Sequence, residues 1–349
     1  VGTPGGSVIP DRVFDTLNDQ VQFHNFNLQA AYNGPIGGKV EASFGDDANV
    51  INSYPKNVLN GNYPYFTGTD VDLTQAYAQF IGGPFTLIAG KFETLAGAEV
   101  IESPNDYDFS RSILFGYAVP FTHTGVRLTW AVTPAFSIIG GLNRGWDTTR
   151  TSANNGQPFA DTSSLTAEGG LAWNPSKAFG LTVQGYDGQV EEGAAMATAG
   201  PFVLTPSRPV RTLIDTVVTY HATPALTFVI NGDDGRQTNA NIYDNAGNLI
   251  GYGTATWSGL AGYTNYAFNS VWSATLRAET FGDMGGARTG QNQHWEEGTL
   301  TLQYQPLSNV IVRSELRGDH SSTLFFSGIN GVKSANESQF GLEVIVKYP

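Results

Sequence analysis

The few charged side chains of this chain recur at every second position. In "VIVRSELRG" (310–318), Arg313, Glu315 and Arg317 do so, as do Arg277 and Glu279 in "TLRAET" (275–280). Side chains on a strand point alternately to its two faces, so such residues share one side. Arg127 in "VRLTW" (126–130) and Arg211 and Asp215 in "VRTLID" (210–215) occupy comparable positions, with Glu41, Glu297 and Glu343 alongside. A second concentration, Glu99, Glu102, Asp106, Asp108 and Arg111, falls in one segment with no strand pattern. Singly, such charges are accounted for by solvation or by pairing across strands. As a group on the inside of a hollow sheet, they would line an aqueous passage and tune which ions pass.

Catalytic chemistry finds little support. His24, His123, His221, His294 and His320 are scattered, with neither an HExxH nor a GxSxG pattern. The absence of cysteine excludes thiolate nucleophiles, thiolate metal sites and disulfides. The chain is therefore expected not to be an enzyme and to need no cofactor. "NGDDGRQTNANIYDNAGN" (231–248) offers oxygen ligands that could hold a loop-bound Ca²⁺, although its spacing is no EF-hand.

A net charge of −13, with 31 acidic and 18 basic residues, argues against nucleic acid as a partner, which would require clustered Lys and Arg. Charged residues are only 14% of the chain, below the roughly 25% usual for soluble domains. No apolar run approaches the roughly 20 residues of a membrane-spanning helix. Most of the excess acid falls in polar segments, at Asp46, Asp47, Glu93, Asp187, Glu191, Glu192, Asp233, Asp234 and Asp319. Solvation is the plain account of these. Divalent-cation bridging to lipopolysaccharide phosphates, or cation enrichment at a channel mouth, is the functional one.

Period-two segments number about fifteen, and no convincing helix interrupts them. Short connections at 33–37, 82–84, 132–134, 174–178, 221–224, 266–270 and 305–309 alternate with long polar segments at 46–69, 93–121, 147–163, 187–208, 233–254, 283–295 and 318–335. A Greek-key sandwich has no reason to keep that order, whereas an up-and-down barrel in an outer membrane does. The expected fold is a single all-β domain over 1–349, a transmembrane antiparallel barrel of about 16 strands. The strand at about 20–32 runs toward a short turn, so a partner strand is expected upstream of Val1, unless a short one lies near Ser7–Ile9.

Aromatic placement decides which face meets lipid. Trp130, Trp173, Tyr220, Tyr266, Trp272, Tyr304 and Tyr348 stand beside the short turns on the apolar face, as a girdle at one membrane–water interface would. Trp146 and Trp257 lie toward the long-loop ends, where the second girdle is expected. The apolar face then points outward and the charged face inward.

The pieces "LTQAYAQF" (73–80), "GKF" (90–92), "GAEVIESPNDYDFSRS" (97–112), "GYAVPFTHTGV" (116–126) and "GLNRGWD" (141–147) resemble the β-barrel porin-2 (OmpL-like) family of Gram-negative outer-membrane proteins. The resemblance implies a passive diffusion channel for small hydrophilic solutes or ions in the bacterial outer membrane, surrounded by lipid and lipopolysaccharide and assembled as a homo-oligomer, by analogy a trimer. Segment 93–121 is long enough to resemble the loop that in general porins folds into the lumen as a constriction, which would set its acids against the wall arginines in a transverse field. The acidic loops lean the expected selectivity toward cations. The other reading of such a barrel is structural, a sleeve or anchor for a partner such as a cytochrome conduit or a surface layer. A lumen plugged by loops or occupied by a partner would favour the sleeve.

Overall fold

The structure is a computed structural model that describes residues 9–51, 70–147, 165–189, 209–327 and 332–348. Alternating sequence becomes alternating strand throughout. The strands are β1 (Phe26–Tyr32), β2 (Ile36–Phe44), β3 (Val71–Gly82), β4 (Phe85–Glu93), β5 (Thr122–Thr133), β6 (Phe136–Asn143), β7 (Thr166–Ser176) and β8 (Phe179–Gln189). They continue through β9 (Val210–Thr223), β10 (Leu226–Tyr243), β11 (Leu249–Ala267), β12 (Trp272–Met284), β13 (Gln293–Leu307) and β14 (Val310–Ser321). Two two-residue strands, β15 (Phe326–Ser327) and β16 (Lys333–Ser334), pair with each other before β17 (Asn336–Val346).

The sheet has 15 strands, β1 to β14 in chain order and then β17, and every neighbouring pair is antiparallel. This is the wall of an up-and-down transmembrane barrel. No helix among the described residues is long and apolar enough to cross a membrane. The helical content is a short α1 (Asp46–Ile51), a 3₁₀ turn at Ser103–Asn105 and a π-type turn at Leu114–Ala118, which the alternating pattern does not announce.

Burial is inverted relative to a soluble protein. On β14 and β17, Leu316, Phe340, Leu342 and Val344 are each more than half exposed, whereas Arg313, Glu315 and Arg317 are almost wholly buried. Exposing that much apolar surface to water would be unfavourable, and burying so many charges needs paired partners. Lipid outside and a polar interior satisfy both conditions, and the antiparallel ladder pairs the backbone groups that lipid cannot.

The girdle tryptophans and tyrosines lie on the outer face beside the short turns and meet other aromatics there. Trp130 stacks on Phe85 with ring centroids 6.0 Å apart, Trp173 meets Phe179 at 5.6 Å, and Trp272 meets Tyr304 at 4.5 Å. Tyr220, Tyr266 and Tyr348 are likewise outward and exposed.

Four expectations are corrected. Trp146 and Trp257 are not a second girdle: both are buried inside, their rings 6.0 Å apart and edge to face. Trp257 shares strand parity with Ala255 and Ala261, which face inward. The segment 233–254 is not a long loop, since β10 and β11 run on to a tight turn at 244–248. With 231–243 extended on β10, Asp233 faces inward and Asp234 outward, so the oxygens of that stretch do not converge as a calcium loop would require. The first strand begins at Phe26 rather than near residue 20. Ser7 and Val8 lie outside the described residues, and so do Glu191 and Glu192 and most of 46–69, 147–163 and 187–208.

At the two ends of the hydrogen-bonded order, side chains connect what the ladder does not. Arg12 donates to Gln339 of β17 at 3.2 Å, and Phe109 lies edge-on to His24 at 5.5 Å. Phe109 also lies against Gly341 of β17, where an added Cβ would sit 2.8 Å from its ring.

Candidate functional site

Residues 93–121 leave the wall at the end of β4, enter the lumen and return to β5. Their neck is closed by the amide of Thr94 donating to the carbonyl of Phe121 at 3.0 Å. Within the lumen the segment docks against β12 and β14. Arg277 donates to the Glu99 carboxylate at 2.9 Å and to the Ser110 carbonyl at 2.7 Å. Glu279 accepts the amides of Ile113 at 2.7 Å and Leu114 at 3.2 Å. Glu315 accepts those of Phe109 at 2.8 Å and Ser110 at 3.1 Å. Arg313 donates to the carbonyls of Ser103 at 3.0 Å, Asp108 at 3.2 Å and Asp106, and Arg317 to that of Arg111 at 2.7 Å.

The chemistry of these residue types explains the arrangement. A loop without regular structure leaves its amides and carbonyls unpaired, and burial would leave them unsatisfied. Wall carboxylates accept the amides and wall guanidiniums donate to the carbonyls. Arg111 does the same from within the loop, donating to Val100 at 3.0 Å and Ile101 at 2.9 Å while pairing with Asp106 at 3.0 Å. Burial pushes the Asp106 carboxyl up to about 7, against the lowering effect of Arg111. Burial likewise pushes Asp108 up to about 7, because Arg277, 3.8 Å away, offsets only part of the desolvation.

Glu99, Asp106, Asp108, Arg111, Arg277, Glu279, Arg313, Glu315 and Arg317 therefore form one docked network. Loop acids and wall arginines are in contact rather than opposed across open water, so the expected transverse field is largely spent in ion pairs. Glu102 lies apart, 3.7 Å from Lys39. The remaining three positions are elsewhere on the wall. Arg127 bonds Glu168 at 2.7 Å, Arg211 bonds Gln237 at 2.9 Å and lies 4.6 Å above Trp146, and Asp215 accepts from Asn231 at 2.5 Å.

The loop also brings an apolar side. Ile113, Leu114 and Val119 pack with Trp146, Trp257 and Trp295 in a buried cluster inside the barrel. The Trp257 indole N–H donates to the Ala118 carbonyl at 3.1 Å. Gly235, opposite Trp257 on β10, has the indole so close that a Cβ there would lie 2.0 Å from it. Sequence reasoning missed this cluster, although Trp295 shares its strand face with Glu297, an available sign that it points inward.

Space remains on the other side of the lumen. A cavity of about 280 Å³ runs between the loop, at Leu95, Ala98 and Tyr107, and the wall, at Thr182, Val217, Val229 and Tyr263. A second, of about 370 Å³, continues to the short-turn end beside Lys177 and His221, and the two share Thr182, Val217 and Thr219.

Residues 2–348 match the family described as "Putative beta-barrel porin-2, OmpL-like". The chain belongs to this family. It is a porin of the bacterial outer membrane, and its barrel is shared with solved channels of low sequence similarity. The porin is similar to the outer-membrane channel DcaP of Acinetobacter baumannii at 11% identity and a TM-score of 0.57, covering 98% of this chain and 93% of that one. An anion-selective porin from Comamonas acidovorans gives 11% identity and a TM-score of 0.58, over 98% and 90%. OmpT, an outer-membrane protein of Vibrio cholerae, gives 12% identity and 0.56, over 92% and 88%. No curated protein sequence matches the porin.

Proposed function

We propose that this porin passes small hydrophilic solutes and ions along one side of its lumen, between the docked loop and the wall formed by β8 to β11. The observation that carries this reading is the continuity of the two cavities through Thr182, Val217 and Thr219. Where the two cavities join, that track is lined by hydroxyl and small apolar side chains. Glu99 and Asp106 border it on the loop side, both already engaged in ion pairs, and Lys177 borders it at the short-turn end, whereas the arginines and glutamates of β12 and β14 are engaged with the loop. Size and hydrogen-bonding capacity, more than a strong charge filter, then set what passes.

The passage carries no reaction in this reading. His123 is buried and stacked 4.7 Å from Tyr186, and His24 lies 3.1 Å from Asp47, far from any shared reacting centre. A sleeve around a partner protein would require the loop to leave the lumen, against the bonds that hold it there. The apolar outer face sits in lipid, with lipopolysaccharide around the long-loop end. A trimeric form of Vibrio cholerae OmpT supports a homotrimer as the assembly.

Planar-bilayer recording under a KCl gradient tests the function. Stepwise conductance with a weak ion preference is expected, and insertion without any conductance would reject a passive channel.

A further inference from the structure

Across from the docking network, Asp215 on β9 and Asp233 on β10 stand directly opposite each other in register, both facing inward. Asp215 is fully buried and Asp233 is 5% exposed. One oxygen of Asp215 accepts from Asn231 at 2.5 Å, and the amide of Gly97 faces the same carboxylate. The other Asp215 oxygen and both Asp233 oxygens are buried with no side-chain donor from another residue, and the two carboxylates lie within hydrogen-bond reach of each other. Two ionised carboxylates are acceptors only, so this close contact requires either a shared proton or a cation between them. The charged groups that face Asp233 are Asp215 and Glu279, all acidic, and no lysine or arginine among the described residues pairs with either aspartate.

Another acidic group makes a useful contrast. The carboxylates of Glu41, Glu93 and Glu102 also converge, but Lys39 lies 2.6 Å from Glu41 and 3.7 Å from Glu102. That group has its own ammonium; the aspartate pair has none. Buried charges are retained when paired or when they coordinate a metal. Three carboxylate oxygens on rigid neighbouring strands, with no side-chain donor from another residue, suit a hard divalent cation that completes its shell with water. The cavity bordered by Gly97, Val217 and Val229 lies beside the pair, on the side of the Gly97 amide that faces Asp215.

We propose that Asp215 and Asp233 form a binding site for a divalent cation of the Ca²⁺ or Mg²⁺ class on the β9–β10 wall of the lumen. The cation bridges the two carboxylates, and it neutralises the unpaired acidic spot beside the solute track. The site holds whether or not the channel conducts, so its test is separate from that of the proposed function.

Full-length porin in detergent, stripped with EDTA, is titrated with Tb³⁺ and then with CaCl₂, reading Tb³⁺ luminescence sensitised by the nearby Tyr263 and, separately, thermal unfolding. Sensitised luminescence displaced by Ca²⁺, with a saturable rise in Tm at about 0.1–1 mM, is expected, as for sparsely liganded exterior sites. Asp233→Asn, which keeps the shape of the side chain, should abolish both effects while Glu102→Gln retains them. Loss in Glu102→Gln with retention in Asp233→Asn would move the ion to the glutamate group and overturn the assignment. A pH-dependent Tm that Asp233→Asn removes, with no Ca²⁺ effect in the parent, would mean that the pair shares a proton instead and would equally overturn it.

Discussion

Arg277 of the wall and Glu99 of the inserted loop meet at 2.9 Å although 178 positions separate them in the chain. Neither reaches bulk water, and the same guanidinium also holds Ser110 and Glu297. The contact makes the loop part of the barrel interior rather than a flap over its mouth.

Arg277→Met should therefore release the loop. Removing one partner of a buried pair costs about 3–5 kcal/mol because the other is left uncompensated. Thermal unfolding in detergent should fall correspondingly, and single-channel records should become larger and noisier. Unchanged conductance with normal noise would mean that the loop stays seated without Arg277.

The solute track predicts an asymmetric response to bulk. Val217→Trp places an indole where the two cavities join and should cut unitary conductance several-fold. Thr216→Trp, one residue along on the outer face of β9, should leave it unchanged. Equal effects from both would place the passage elsewhere.

Asp108 supplies a pH dependence with a definite sign. Its carboxyl is raised to about 7 by burial, whereas it is near 3.8 when free. Between those values the folded state binds the extra proton, so stability contributed at this position is highest at low pH and is lost as pH rises toward 7 and above. The parent should lose stability relative to Asp108→Asn between pH 4 and pH 8, by denaturant titration at each pH. A constant difference would show that the pair with Arg277 keeps Asp108 ionised throughout.

Leu300, on the outer face of β13 between the Trp272–Tyr304 girdle and the far rim, tests the lipid assignment. Leu300→Arg should destabilise the barrel in vesicles by about 2–4 kcal/mol if it lies near the bilayer midplane. Urea titration in lipid measures this. A neutral outcome would remove that face from the hydrocarbon.

The wall was legible because its determinants are local. A period of two fixes strand faces, and the girdle aromatics mark the end at which Trp272 and Tyr304 meet. The loop composition disclosed its acids, but not their partners: which wall residue meets Glu99 or the amide of Ile113 depends on how a segment without periodicity crosses the lumen. Trp146 and Trp257 show the limit most clearly. Placement near the loop ends suggested lipid, and only the parity shared with Ala255 and Ala261, read together with the loop carbonyl at Ala118, puts them inside.

Each hairpin of the wall joins neighbours in the chain, but the loop is held by residues as far as 240 positions away, with Tyr263 at Glu99 and Glu343 at Ser103. During synthesis the segment emerges long before β12, β14 and β17 exist to receive it. Capture of the loop closes contacts of long sequence separation, which carry a larger loop-closure entropy than the hairpins do and form more slowly. Until it is captured, the loop is a polar strap whose amides and carbonyls lack the wall partners that satisfy them.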